Sequence, residues 1–282
     1  MIWTTAITIF GLILFEVISS VDNAIVNAHV LKTLPEKYRK FFLTWGLLLA
    51  VFVIRGGLPF VLVGVAHSRD VLLIGVGMYL VLVFLGWLFL EEKKYAFFVE
   101  HFIHRQSVWF YAITSILFTG IISISLQIDP ILALGASIGS MAFFITDGFR
   151  HNAEAKEREL EKSTSMSAVS KLLYLEVLDA SFSIDGVVGA FAFTISVPLI
   201  LLGNGIGAFL VREITIRGIN IVSKFAYLKN GAMYSIGMLG GLMVLESFGK
   251  DYPFWLAPLN TALLLAVFLY LSYREVEEAK VK

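Results

Sequence analysis

Apolar runs, each long enough to cross a bilayer, follow one another along almost the whole chain. A transmembrane helix needs roughly 20 apolar residues to span a hydrocarbon core of about 30 Å. The runs predict about nine such helices. Their approximate limits are Thr4 to Val30, Phe41 to Ala66, Val71 to Phe89, Val108 to Leu126, and Pro130 to Asp147. Four more are Ser170 to Thr194, Pro198 to Arg212, Asn230 to Ser247, and Phe254 to Tyr273. The expected fold is all-α and polytopic, with short loops and no separate soluble domain. The first run carries Glu16 and Asp22 and lacks a basic leader, so it is read as a retained helix rather than a signal peptide. Arg150 to Lys162 reads as a charged, solvated linker, short, helical and cytoplasmic.

Charge placement predicts orientation. Of the 22 Lys and Arg residues, only Arg69 and Lys250 fall in loops on the N-terminal side, and Arg55 lies inside the second segment. Basic residues collect on the cytoplasmic side. The expected topology is a plasma-membrane protein with its N-terminus outside and its C-terminus in the cytoplasm.

Five acidic residues sit where lipid is expected: Glu16 and Asp22 in the first segment, Glu176, Asp179 and Asp185 in the sixth. One ionised carboxylate at mid-bilayer costs roughly 2.5–3.5 kcal/mol, and five cost on the order of 10–15 kcal/mol. Protons, basic partners or a bound cation must offset that cost. Arg55 and Arg212, at a helix end, are the basic residues near enough to contribute, and two arginines do not balance five carboxylates.

The candidate metal ligands are Glu16, Asp22, Asn23, Glu176, Asp179, Asp185 and Asn204, all oxygen donors. Such donors suit hard cations: Mn²⁺, Mg²⁺, Ca²⁺. The chain has no cysteine, and its five histidines lie at helix ends or in loops, which disfavours zinc and copper. On ideal helices these carboxylates do not share one face: Asp185 points almost opposite to Glu176. Breaks near Asp22 and Asp185 are therefore expected, with Gly186 and Gly189 permitting the second.

The two acidic segments echo each other. Glu16-Val17-Ile18-Ser19 matches Glu176-Val177-Leu178-Asp179, and Ser20-Val21-Asp22-Asn23 matches Ser183-Ile184-Asp185-Gly186. Each is followed by a segment bearing an arginine, Arg55 or Arg212. Starts five helices apart give opposite orientations, an inverted repeat of three-helix units. Residues 1–90 form the first repeat, 91–167 the connecting helices and linker, and 168–282 the second repeat with a last helix.

The motifs FEVISSVDNAIV and YLEVLDASFSIDGVVGAFAFT, with LLGNGIGAFLVREI after them, resemble the TerC family of integral membrane proteins. The family pattern has Ser and Pro where this chain has Gly186 and Val188. The resemblance implies Mn²⁺ export, with the metal as substrate and no cofactor. The reading is a secondary exporter of a divalent cation, Mn²⁺ foremost, exchanging it for H⁺. The alternative is a membrane scaffold or stress-resistance assembly factor that transports nothing. No phosphate-binding loop, zinc-protease motif or Ser/His/Asp set is present, so neither an ATP-driven pump nor an enzyme is expected. The expected partners are lipid and metal ion, not nucleic acid.

Overall fold

A computed structural model describes residues 2–20, 24, 27–28, 30–31, 34–93, 95–162, 167–218 and 225–281. Among these, every regular element is helical. Helix α1 is Ile2–Ser19. Helix α2 runs over Glu36–Val65, α3 over Arg69–Leu90, and α4 over Phe98–Arg105. Helices α5 (Phe110–Ile128) and α6 (Pro130–Lys162) follow. Then come α7 (Ala168–Gly189), α8 (Val197–Glu213), α9 (Leu228–Ser247) and α10 (Leu256–Val281).

Each of the nine predicted segments overlaps a helix, the first of them with α1 as far as Ser19. Seven are long and apolar enough to cross a membrane by length and composition. The other two, α7 and α9, have 22 and 20 residues but carry more polar side chains. The short α4 was not anticipated. It exposes Val99 and Phe102, as a helix lying at an interface would.

Helix α3 is the axis of the bundle, packed between α9 and α6. Small residues allow this. A methyl group at Gly77 would sit 2.9 Å from the carbonyl oxygen of Gly240 on α9. One at Gly139 on α6 would collide with the backbone of Gly75. Apolar burial between helices is no driving force in lipid, so such close backbone approach supplies much of the attraction. Outward faces stay apolar: Phe60 and Val65 on α2, Ile116 on α5 and Leu263 on α10 are exposed.

Helix α1 lies along α8 in the same manner. Methyl groups at Gly203 and Gly207 would meet Leu12 and Glu16 at 2.5 and 2.6 Å. Glu16 is thereby pressed into the protein and away from lipid.

Two sequence expectations fail here. Helix α7 is regular through Asp185 and tightens to a 3₁₀ turn only at Ala190–Ala192, so the sixth segment does not break at its distal Asp. Gly186 serves close packing instead: a methyl group there would lie 2.8 Å from Glu16 Oε2. The irregular backbone is on the arginine-bearing helices. Helix α2 widens into π-helical turns at Phe42–Gly46 and Ala50–Gly57, and α8 runs into one at Ile214–Gly218. Pro59 supplies a cause in α2, because its ring cannot accommodate the carbonyl four residues back, that of Arg55. Asp22 lies outside the described residues.

The second failure is Arg150. The stretch it begins is helical as expected, as an unbroken continuation of α6 to Lys162, but the Arg150 side chain turns inward and is not solvated.

Candidate functional site

The polar centre forms where α1, the π-helical part of α2, α7 and α8 meet. Glu16 is fully buried there and Arg55 nearly so. Arg55 donates from Nε to Glu16 Oε1 at 2.9 Å, and its Nη2 lies 2.7 Å from the same oxygen. Ser20 Oγ donates to that oxygen too, at 3.0 Å. Oε1 therefore takes three donors. Oε2 is equally buried and has none. It faces Gly186 and the Ser19 hydroxyl.

Asn204 lies one turn from Gly207 on the α8 face that packs on α1. It is fully buried, and neither its Nδ2 nor its Oδ1 has a partner. Buried polar groups without partners are uncommon and call for an explanation. Glu16 Oε2 and Asn204 Oδ1 are both acceptors, the atom type a cation or a proton carrier would satisfy.

Asp179 accepts from Asn27 Nδ2 at 3.2 Å, tying α7 to the chain just beyond α1. Glu176 leans on Gly46 of the first π-helical turn, and its Oε1 is buried without a partner. A cavity of about 50 Å³ adjoins them, lined among others by Asn27, Arg55, Asp179, Arg212 and Thr215. That is room for a few waters.

Asp185 is elsewhere. Tyr79 Oη on α3 donates to its Oδ1 at 2.7 Å, and Arg150 on α6 pairs with its Oδ2. Thr146 Oγ1 donates to Tyr79 Oη at 3.2 Å. Both carboxylate oxygens of Asp185 are engaged, which makes it a clamp joining α3, α6 and α7.

The predicted ligands thus divide. Glu16 and Asn204 share the α1–α8 interface, Glu176 and Asp179 lie toward the smaller cavity, and Asp185 has its own arginine. Asp22 and Asn23 lie outside the described residues. Among the described residues, no three Asp, Glu or His side chains come close enough to hold a metal ion by themselves. The charge balance also changes, because Arg150, mostly buried, is a third arginine turned into the bundle. Sequence reading missed it by ending the fifth segment at Asp147, one turn short. Tyr79 was hidden in an otherwise apolar run.

A buried carboxylate away from this centre was also not anticipated. Glu100 on α4 is fully buried, and Asn230 Nδ2 on α9 lies 3.0 and 2.9 Å from its two oxygens. The backbone N–H of Phe97 donates to Oε2 at 3.0 Å. Nearby Lys93 caps α3 by donating to the carbonyls of Trp87 and Leu88. Burial pushes its ammonium pKa down.

The family model for "Protein of unknown function (DUF475)" matches residues 21–74 and 73–277, nearly the whole chain. The chain belongs to the DUF475 family. A relative from Bacillus subtilis (strain 168), "Uncharacterized membrane protein YceF", is 24% identical over 249 residues, covering 86% of this chain and 72% of its own length. No solved structure matches.

Membership of DUF475 replaces the TerC resemblance, since DUF475 is a distinct family. The acidic motifs around Glu16 and Glu176 are short, and short motifs do not separate related-looking membrane families. The match to a membrane protein agrees with the multi-pass architecture. With TerC withdrawn, Mn²⁺ loses the argument that singled it out, and this DUF475 chain must be read from its own site.

Proposed function

We propose that this protein is a secondary transporter that moves a hard divalent cation through a site centred on Glu16. One observation carries the reading. Glu16 Oε1 takes every protein donor, while Oε2, equally buried, lies against Gly186 of α7 with no donor of its own. Asn204 adds a neutral oxygen, Asp179 and Asn27 line the approach, and Glu176 lies against Gly46 at its edge. Asp22 and Asn23 stay in the proposed ligand set through the sequence pattern alone. Asp185 is the weakest member, because its oxygens are already used.

The donor set selects oxygen-preferring ions and does not rank Mn²⁺ above Mg²⁺ or Ca²⁺. A carboxylate that releases its metal in a closed, buried site takes up a proton, since burial disfavours the charged form. Exchange against H⁺ follows from that chemistry. Nine crossings, with α7 and α9 included, and an outside N-terminus complete the proposal.

The scaffold reading has one observation in its favour. The Asp185–Tyr79–Arg150 clamp is complete within the protein and has the form of a structural network.

Flux of radioactive Mn²⁺ into proteoliposomes, with and without a pH gradient, tests transport. Saturable flux, driven by the gradient and inhibited by competing Ca²⁺ or Mg²⁺, is the expected result. Folded protein without flux of any of the three ions would favour the scaffold.

A further inference from the structure

A cavity of about 290 Å³ opens on the face of the bundle that carries the N-terminus of α1. Arg69, at the start of α3, pairs with Glu246, near the end of α9, and both line it. Its inner lining includes Phe191, Phe193 and Thr194, from the break between α7 and α8.

One face of α7 leads from this cavity to Glu16. A methyl group on Gly186 would touch Glu16 Oε2, and one on Gly189 would strike the Phe15 ring. Phe193 lies beyond, its ring centroid 5.6 Å from that of Phe15. Gly186 and Gly189 are at i and i+3, on one side of α7, and Phe193 follows directly after the 3₁₀ turn. Rises of about 1.5 Å per residue in α7 and about 2 Å in the 3₁₀ turn give roughly 10–13 Å between the cavity floor and the buried carboxylate. Two buried aromatic rings, those of Phe15 and Phe193, lie in that interval. Phe193 also fills the space over Gly11, where a methyl group would come within 2.9 Å of its ring. On the other side of the Glu16–Arg55 pair lies the smaller cavity lined by Asn27, Asp179 and Arg212.

We propose that the larger cavity is the outer vestibule of the Glu16 centre, from which a small cation reaches or leaves the site, and that Phe193 is the side chain that closes it. This rests on the reading of Glu16 as the cargo site. Phe193 suits the role by position. It sits where the 3₁₀ turn has ended and before α8 begins; its backbone N–H donates to the carbonyl of Ala190, which also accepts from Thr194, and no continuing helix holds it. Phe15, within α1, is the fixed half of the pair.

The absence of native cysteine makes the test direct. Single cysteines are placed at Thr194, in the vestibule, and at Asn204, beyond the rings. Each is exposed to a small, charged, membrane-impermeant thiosulfonate from either side of sealed vesicles. Thr194→Cys should react from the N-terminal side, and Asn204→Cys should not. Adding Phe193→Ala should raise the Asn204→Cys rate from that side at least tenfold, with Phe193→Leu in between. Leu242→Ala, on the opposite wall of the vestibule, should leave it unchanged. Where Phe193→Ala does not fold, the Phe193→Leu comparison decides. An unchanged Asn204→Cys rate in a folded Phe193 variant, or equal opening by Leu242→Ala, would overturn the assignment. Labelling requires no ion flux, so a failure of the gate and a failure of the transport reading give separate results.

Discussion

Arg55 places two of its nitrogens on the same oxygen of Glu16 and none on the other. A guanidinium facing a carboxylate ordinarily uses its planar fork on both oxygens. Here Ser20 supplies the third donor to the shared oxygen, and Gly186 brings α7 against the free one. The asymmetry leaves one oxygen of a buried, arginine-paired carboxylate without a donor.

Breaking this pair from one side should be costly. Arg55→Gln leaves a carboxylate buried without its counter-charge, and the loss expected for one partner of a buried pair is about 3–5 kcal/mol. Thermal unfolding in detergent should show a large drop for Arg55→Gln. The double variant Glu16→Gln with Arg55→Gln should recover a substantial part, because neither charge remains. A double variant as unstable as the single one would contradict the pairing.

The Asp185 clamp predicts a graded series. Tyr79→Phe removes one hydrogen bond to a charged group and should cost about 1.5–3 kcal/mol. Arg150→Gln should cost more, since it removes the charge partner. Unfolding midpoints of the two variants, measured side by side, check the order.

Glycine substitutions separate packing from chemistry. Gly186→Ala puts a methyl group against Glu16 Oε2, and overpacking of this kind typically costs about 1–3 kcal/mol. It should also abolish cation binding in protein that remains folded. Gly241→Ala, also in a helix but with open space around it, should be neutral or gain up to about 1 kcal/mol from helix propensity. Stability and Mn²⁺ binding measured on both variants test the contrast.

Topology gives a further prediction. If α7 and α9 cross along with the seven apolar helices, the ends of the chain lie on opposite sides. Single cysteines at Trp3 and Glu277 should then be labelled from opposite faces of sealed vesicles, Trp3→Cys from outside. Labelling from the same face would remove one crossing.

The membrane fold was legible because apolar runs of helical length admit few alternatives. The special status of Glu16 was legible for the same reason: a carboxylate in such a run must be explained. Its partner Arg55 was visible as a lone cation in the second segment. Arg150 was not, because helix α6 continues past the point where its apolar character ends. A basic residue one turn into a charged stretch resembles solvent-facing sequence until a tertiary partner, here Asp185, claims it. The expected break at Asp185 failed because ideal-helix geometry asked how one helix could aim all its carboxylates at one point. The fold distributes them over separate partners, with α2 and α8 supplying the irregular turns. TerC was suggested by local acidic motifs, and a match over nearly the whole chain assigned DUF475 instead.

Equilibrium binding of Mn²⁺ to the purified protein, wild type against Glu16→Gln, tests the central claim most directly. Saturable binding to wild type that competes with Ca²⁺ or Mg²⁺, and a loss of at least tenfold in affinity in a folded Glu16→Gln variant, is the predicted result. Equal binding by both, or no binding by folded wild type, would contradict a cation site at Glu16.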